Sequence, residues 1–118
     1  MEQKDIISRE DIEFLVDTFY GRVKQDPLLA PQFSRVDWNK HLPVMYNFWS
    51  SMMLGEQSYR GNPFEKHLPL PLTAGHFEAW IALFHEVVDD NFSGIQAEEI
   101  KSRAQSIAHL FQHKMRLT

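Results

Sequence analysis

The segment DWNKHLPVMYNFWSSMMLG, residues 37–55, decides the architecture. It opens on Asp37, whose carboxylate suits a helix N-cap, and closes on Gly55, which ends helices without steric cost. The helix between them, to about Leu54, is apolar almost all round. Trp38, Leu42, Met45, Tyr46, Phe48, Trp49, Met52 and Met53 cannot all face one neighbour. A helix of this kind is buried on two sides or packs against something besides protein. Pro43 sits about a turn and a half inside, where it either perturbs the hydrogen-bond ladder or marks a later start.

Outward from this segment, Pro and Gly punctuate further helices. N-terminal to it, a helix is expected from about Asp11 to Gln25. Ser8 and Asp11 have capping-box spacing there, and Ile12, Val16, Phe19, Tyr20 and Val23 form the apolar stripe. Asp26-Pro27 then restarts the chain as cap and first-turn proline, giving a short turn to about Phe33. C-terminal to it, Asn62-Pro63-Phe64-Glu65 reads as a capped turn stopped by Pro69 and Pro71, leaving His67 on a rigid corner. Thr73 caps a helix over about Ala74 to Asp90, with Phe77, Trp80, Ile81, Phe84, Val87 and Val88 in one stripe. After Ser93-Gly94 a last helix, about Ala97 to Met115, presents Ile100, Ala104, Ile107, Ala108 and Phe111. With no sustained alternation anywhere, the class is all-α, in one domain over residues 1–118.

Composition narrows the function. A chain of 118 residues buries only about 65% of its unfolded surface. Yet it carries nine Phe, three Trp, three Tyr and five Met, a heavy load for a small core. The absence of cysteine excludes disulfide frameworks, thiolate metal sites and thiol catalysis. The net charge of −4, with no basic block, argues against nucleic acid and anionic membrane as partners. The opening MEQKDIISRE has no apolar stretch of signal-peptide length, so a cytoplasmic location is expected.

Six histidines are the chemically suggestive excess. His109 and His113 project roughly 140° and 180° from the apolar stripe of the last helix. They should face water, although their spacing suits a nonhaem metal site. His76 and His85 lie at the edges of their helix's stripe, where boundary roles suffice. His41 shares a helical face with Met45, Phe48 and Met52, while Tyr20 and Trp80 place polar tips on apolar stripes. Each buried tip needs a partner, and a backbone carbonyl would serve. Taken together, a rigid His, an inward His, a Tyr and a Trp describe a pocket for something large, flat and apolar.

At these residues the chain resembles a truncated haemoglobin, a bacterial globin of group III, or class P. The resemblance rests on TFYGRV, WNKHLPVMYNFWSSMMLGE, YRGNPFEKHLPLP, HFEAWIALF and RAQSIAHLFQ, and covers nearly the whole chain. Its most specific elements are NFWSSMMLGE and the KHLPLP corner, with His41 and His67 separated by 26 residues. The five glycines are all isolated, consistent with group III, in which paired-glycine motifs are generally missing. The resemblance implies a two-over-two helical sandwich around haem b (iron protoporphyrin IX), with His67 the proximal iron ligand. It makes Tyr20, His41 and Trp80 the distal residues that stabilise bound ligand. Phe33, Phe48, Trp49, Met52 and Phe64 would pack on the porphyrin, and Tyr59 or Lys66 would meet a propionate.

The function so implied is tight binding of O2 and other diatomic ligands. Slow release suits redox, nitric oxide or peroxide chemistry, with an unidentified electron donor, better than oxygen delivery. The competing reading is a cofactor-free helical interaction module. In that case the surplus aromatics should form an exposed apolar patch on the 37–55 helix.

Overall fold

The computed structural model describes residues 3–34, 36–55 and 72–115. Within them the regular structure is helical: α1 (Arg9–Val23), a 3-10 turn (Ala30–Phe33), α2 (Trp38–Leu54), α3 (Ala74–Asn91) and α4 (Ile95–Lys114). The packing is pairwise, with α1 against α2, α3 against α4, and α1 crossing to α3 to join the pairs.

Most helix ends follow from local chemistry. Ser8 Oγ accepts the Asp11 backbone N–H, and the Asp11 carboxylate accepts those of Ser8 and Ile7. The box residue is thus the third of the helix, so α1 starts at Arg9, two residues before the expected Asp11. It also ends at Val23 rather than Gln25, as the chain tightens into i to i+3 bonds from Gln25 to Arg22 and from Asp26 to Val23. The Asp26 carboxylate then accepts the N–H groups of Leu28 and Leu29.

Asp37 caps α2 by accepting the Asn39 N–H at 3.1 Å, and Gly55 terminates it in the left-handed region at φ 74°. Pro43 does not delay the start. Lys40 and His41 already donate to the Asp37 carbonyl at 3.0 and 2.9 Å. The bond that Pro43 cannot make belongs to the Asn39 carbonyl, and both residues are exposed, so water can replace it. α3 begins as expected at Ala74, with a reciprocal capping box between Thr73 and His76, and extends to Asn91.

The start of α4 has a nonlocal cause. No side chain beside Gly94 caps it. Asp5, on the segment before α1, supplies both carboxylate oxygens instead, accepting the N–H groups of Gln96 (2.9 Å) and Ala97 (2.8 Å). The helix therefore begins at Ile95 rather than Ala97. Gly94 is required there, because φ is 132° and a Cβ would lie 2.6 Å from Asp5 Cγ. Ser93 completes the clasp, donating from its N–H to the Lys4 carbonyl and from its hydroxyl to the Gln3 carbonyl.

The bonds from Gln96, Ile6 and Ala97 hold the Asp5 carboxyl below the ordinary aspartate value, outweighing desolvation, which acts the other way. A depressed folded-state value contributes stability above the unfolded value, and this is lost as pH falls through the folded one. Asp5→Ala should therefore cost about 1 kcal/mol at neutral pH, the magnitude of a helix cap. Denaturant midpoints of the two proteins should converge below pH 3.8. An equal gap at all pH values would mean that the carboxylate is not the cap.

Candidate functional site

Tyr20 is buried, at 3% exposure. It lies on the apolar stripe of α1, with its ring 4.9 Å from Phe19 and 5.1 Å from Trp38. Among the described residues none hydrogen-bonds its hydroxyl. Desolvation pushes that hydroxyl well above the ordinary tyrosine value, so it remains a neutral donor.

This residue forms part of the wall of an apolar cavity that opens to solvent. Phe33 from the 3-10 turn, Met45, Phe48 and Trp49 from α2, Phe77 and Trp80 from α3, and Ile107, Ala108 and Phe111 from α4 also line it. Trp80 is clamped by rings: Phe84 stacks on it at 5.6 Å and 17°, and Phe19 meets it edge-on at 5.6 Å and 88°. Its indole N–H, like the Tyr20 hydroxyl, has no hydrogen-bond partner among the described residues. Flat rings on several sides, with two donors available, suit a planar apolar cofactor whose bound ligand accepts hydrogen bonds.

The predicted residues divide into three groups. Tyr20, Trp80, Phe33, Phe48 and Trp49 come together around the cavity. His41 and Met52 do not line it. The His41 ring stands behind Tyr20, edge-on at 5.4 Å, and 5.6 Å from Trp38, with its Nε2 buried. Met52 instead borders a shallow groove with Met53, Gln96 and Arg103. His67, Phe64, Tyr59 and Lys66 fall outside the described residues. Sequence reasoning missed Leu29, Leu72 and His76 as wall residues, and read Phe77, Ile107, Ala108 and Phe111 only as core.

The remaining histidines have ordinary surroundings. His85 Nε2 lies 3.3 Å from the Lys101 carbonyl, while His109 and His113 are exposed. Among the described residues no three His, Asp or Glu side chains converge on a metal position. Nor does α2 show the exposed apolar patch expected of an interaction module. Among the described residues the large exposed apolar side chains, Ile7, Phe14, Leu28, Ile95 and Leu110, all lie elsewhere.

Two packed helix pairs around an apolar pocket lined by Tyr20 and Trp80 define a small α-helical sandwich. The profile of the bacterial-like globin family matches residues 5–116, and the chain belongs to that family. It is 36% identical to the group 3 truncated hemoglobin ctb of Campylobacter jejuni, over 94% of this chain and 93% of that protein. It is 32% identical to the group 2 truncated hemoglobin YjbI of Bacillus subtilis, over 72% of this chain and 67% of that protein. The crystal structure of the group III truncated hemoglobin from Campylobacter jejuni superimposes with a TM-score of 0.86, covering 98% of this chain and 95% of that one. The truncated oxygen-avid haemoglobin from Bacillus subtilis, 30% identical, gives a TM-score of 0.79, covering 89% and 93% respectively. The fold is thus the truncated-globin sandwich, and family membership makes the chain a haem-binding globin.

The burial of Tyr20 has a titration signature. The stability of a buried neutral hydroxyl is fully present below the unfolded value of about 10 and is lost as pH rises beyond it. Tyr46 is also raised, to about 12, by desolvation and by its hydrogen bond to Asp17. In an ultraviolet titration of the folded protein, Tyr20→Phe should leave the phenolate amplitude near pH 10 unchanged. A loss of amplitude in that range would place the Tyr20 hydroxyl in water.

Proposed function

We propose that this globin holds haem b through His67 and binds O2 and other diatomic ligands tightly. On this reading it serves redox, nitric oxide or peroxide chemistry rather than oxygen delivery, by peroxidase-like or dioxygenase-like turnover with a separate electron donor. The observation that carries the proposal is the pair of donors, Tyr20 O–H and Trp80 N–H, on the wall of one apolar cavity. The assignment of His67 as axial ligand is supported by the likeness of the KHLPLP corner to group III globins. It also agrees with the absence of any cysteine. Haem, when bound, supplies an iron that coordinates small diatomic molecules and transfers electron density to them.

The protein's contribution is electrostatic. A hydrogen bond to a charge-bearing acceptor in a dry pocket contributes roughly 1.5–3 kcal/mol, or a factor of about 10 to 150 in dissociation rate. Tyr20 supplies one from a buried hydroxyl that desolvation keeps protonated beyond the ordinary tyrosine range. Trp80 delivers the second from a ring that Phe19 and Phe84 prevent from turning away. His41 belongs to the distal group through Tyr20, whose ring it supports from behind. Two fixed donors favour retention, which suits a ligand consumed where it is held. No described helix is long and apolar enough to cross a membrane.

Tyr20→Phe should raise the O2 dissociation rate at least about tenfold, as measured by stopped-flow spectroscopy. An unchanged rate would remove Tyr20 from the mechanism. His67→Ala should abolish the histidine-ligated ferrous spectrum while leaving the helical content intact. A wild-type chain that stays colourless after expression with ample haem would overturn the proposal.

A further inference from the structure

We infer that His76 binds a carboxylate at the rim of the cavity, namely an acidic substituent of the haem. The inference rests on the proposed haem reading and extends it to a residue otherwise engaged in helix capping. His76 occupies the third position of α3, and its Nδ1 lies 2.9 Å from the Thr73 backbone nitrogen and 3.0 Å from Thr73 Oγ1. A backbone N–H can only donate, so Nδ1 is the acceptor and the proton of the neutral ring resides on Nε2. The same ring is half-buried and lines the cavity.

Capping alone does not call for histidine. Glu or Gln is the usual residue at this position of a capping box, and a carboxylate there also gains from the helix dipole. Histidine accepts the Thr73 N–H and still keeps an N–H donor, with no negative charge added to the pocket wall. Its described neighbours on that wall, Leu72, Phe77 and Phe111, are apolar. Ionised carboxylates are costly to bury in apolar surroundings, so the acidic edge of an otherwise flat, apolar cofactor belongs where the wall meets water. His76 is at such an edge, and the N-terminal end of α3 adds a favourable field for an anion.

His76→Glu separates capping from binding. It preserves the capping box, so denaturant stability of the haem-free protein should equal or exceed that of wild type. Protohaem should nevertheless transfer from the variant to excess apomyoglobin roughly tenfold faster, because a charge-assisted bond becomes a repulsion. The excess should disappear with protohaem dimethyl ester, which lacks the charged groups. His76→Gln, which retains both an acceptor and an N–H donor, should stay close to wild type with either haem. Equal protohaem loss from wild type and His76→Glu would overturn the inference alone, as would an excess that persists with the ester. A wild-type chain that takes up neither haem overturns the haem reading and this inference with it.

Discussion

Helix α2 carries more large apolar side chains than one neighbouring helix can cover, and the rest of the fold accommodates that excess. α1 packs against α2, Met45, Trp49 and Ser50 are buried, and Trp49 stacks on Phe84 of α3 at 5.3 Å. Met45, Phe48 and Trp49 line the cavity. Covering an aromatic side chain fully contributes roughly 1.5–3 kcal/mol. Among the rings on the cavity wall, Phe48 and Trp80 are left half-buried, so covering them favours an apolar occupant before any bond to it is counted. The hydrophobic effect is nondirectional, so it selects the shape of the occupant and leaves its chemistry to the polar groups.

Those polar groups are held in register by one ring. Phe19, 2% exposed, meets Tyr20 at 4.9 Å and Trp80 at 5.6 Å, and so couples the donor on α1 to the donor on α3. The opposite wall depends on the N-terminal segment. Ile107, Ala108 and Phe111 belong to α4, whose first turn is fixed by Asp5 and whose junction with α3 is clasped through Ser93. Ion pairs such as Arg22 with Asp90 lie on the exposed surface, where they contribute little. The pocket is therefore shaped by packing and capping rather than by surface charge.

What the sequence made legible was local. Ser8, Asp37, Gly55 and Thr73 mark helix ends through contacts within a few residues, and the stripes of α1 and α3 brought Tyr20 and Trp80 to one cavity. The same periodicity turned His109 and His113 outward. The Asp5 cap was not legible, since 91 residues separate Asp5 from Gln96, and α4 was accordingly expected to start two residues late. Helical angle grouped His41 and Met52 with Phe48, but a face is wide. His41 rests behind Tyr20 while Met52 turns toward α4. The double use of His76 escaped because a residue at the edge of a stripe has no periodic signature.

On the proposed reading, the two donors also discriminate between ligands. A hydrogen bond strengthens with the charge on its acceptor, whereas apolar walls treat diatomic molecules of similar size alike. A ligand that remains nearly neutral gains little from Tyr20 and Trp80, and one that accumulates negative charge gains from both. Water would erase this difference by offering its own donors to every ligand. Discrimination therefore depends on the apolar rings as much as on the hydroxyl and the indole. The aromatic excess of the composition is then part of the chemistry, because apolar rings around the donors limit the water that competes for them.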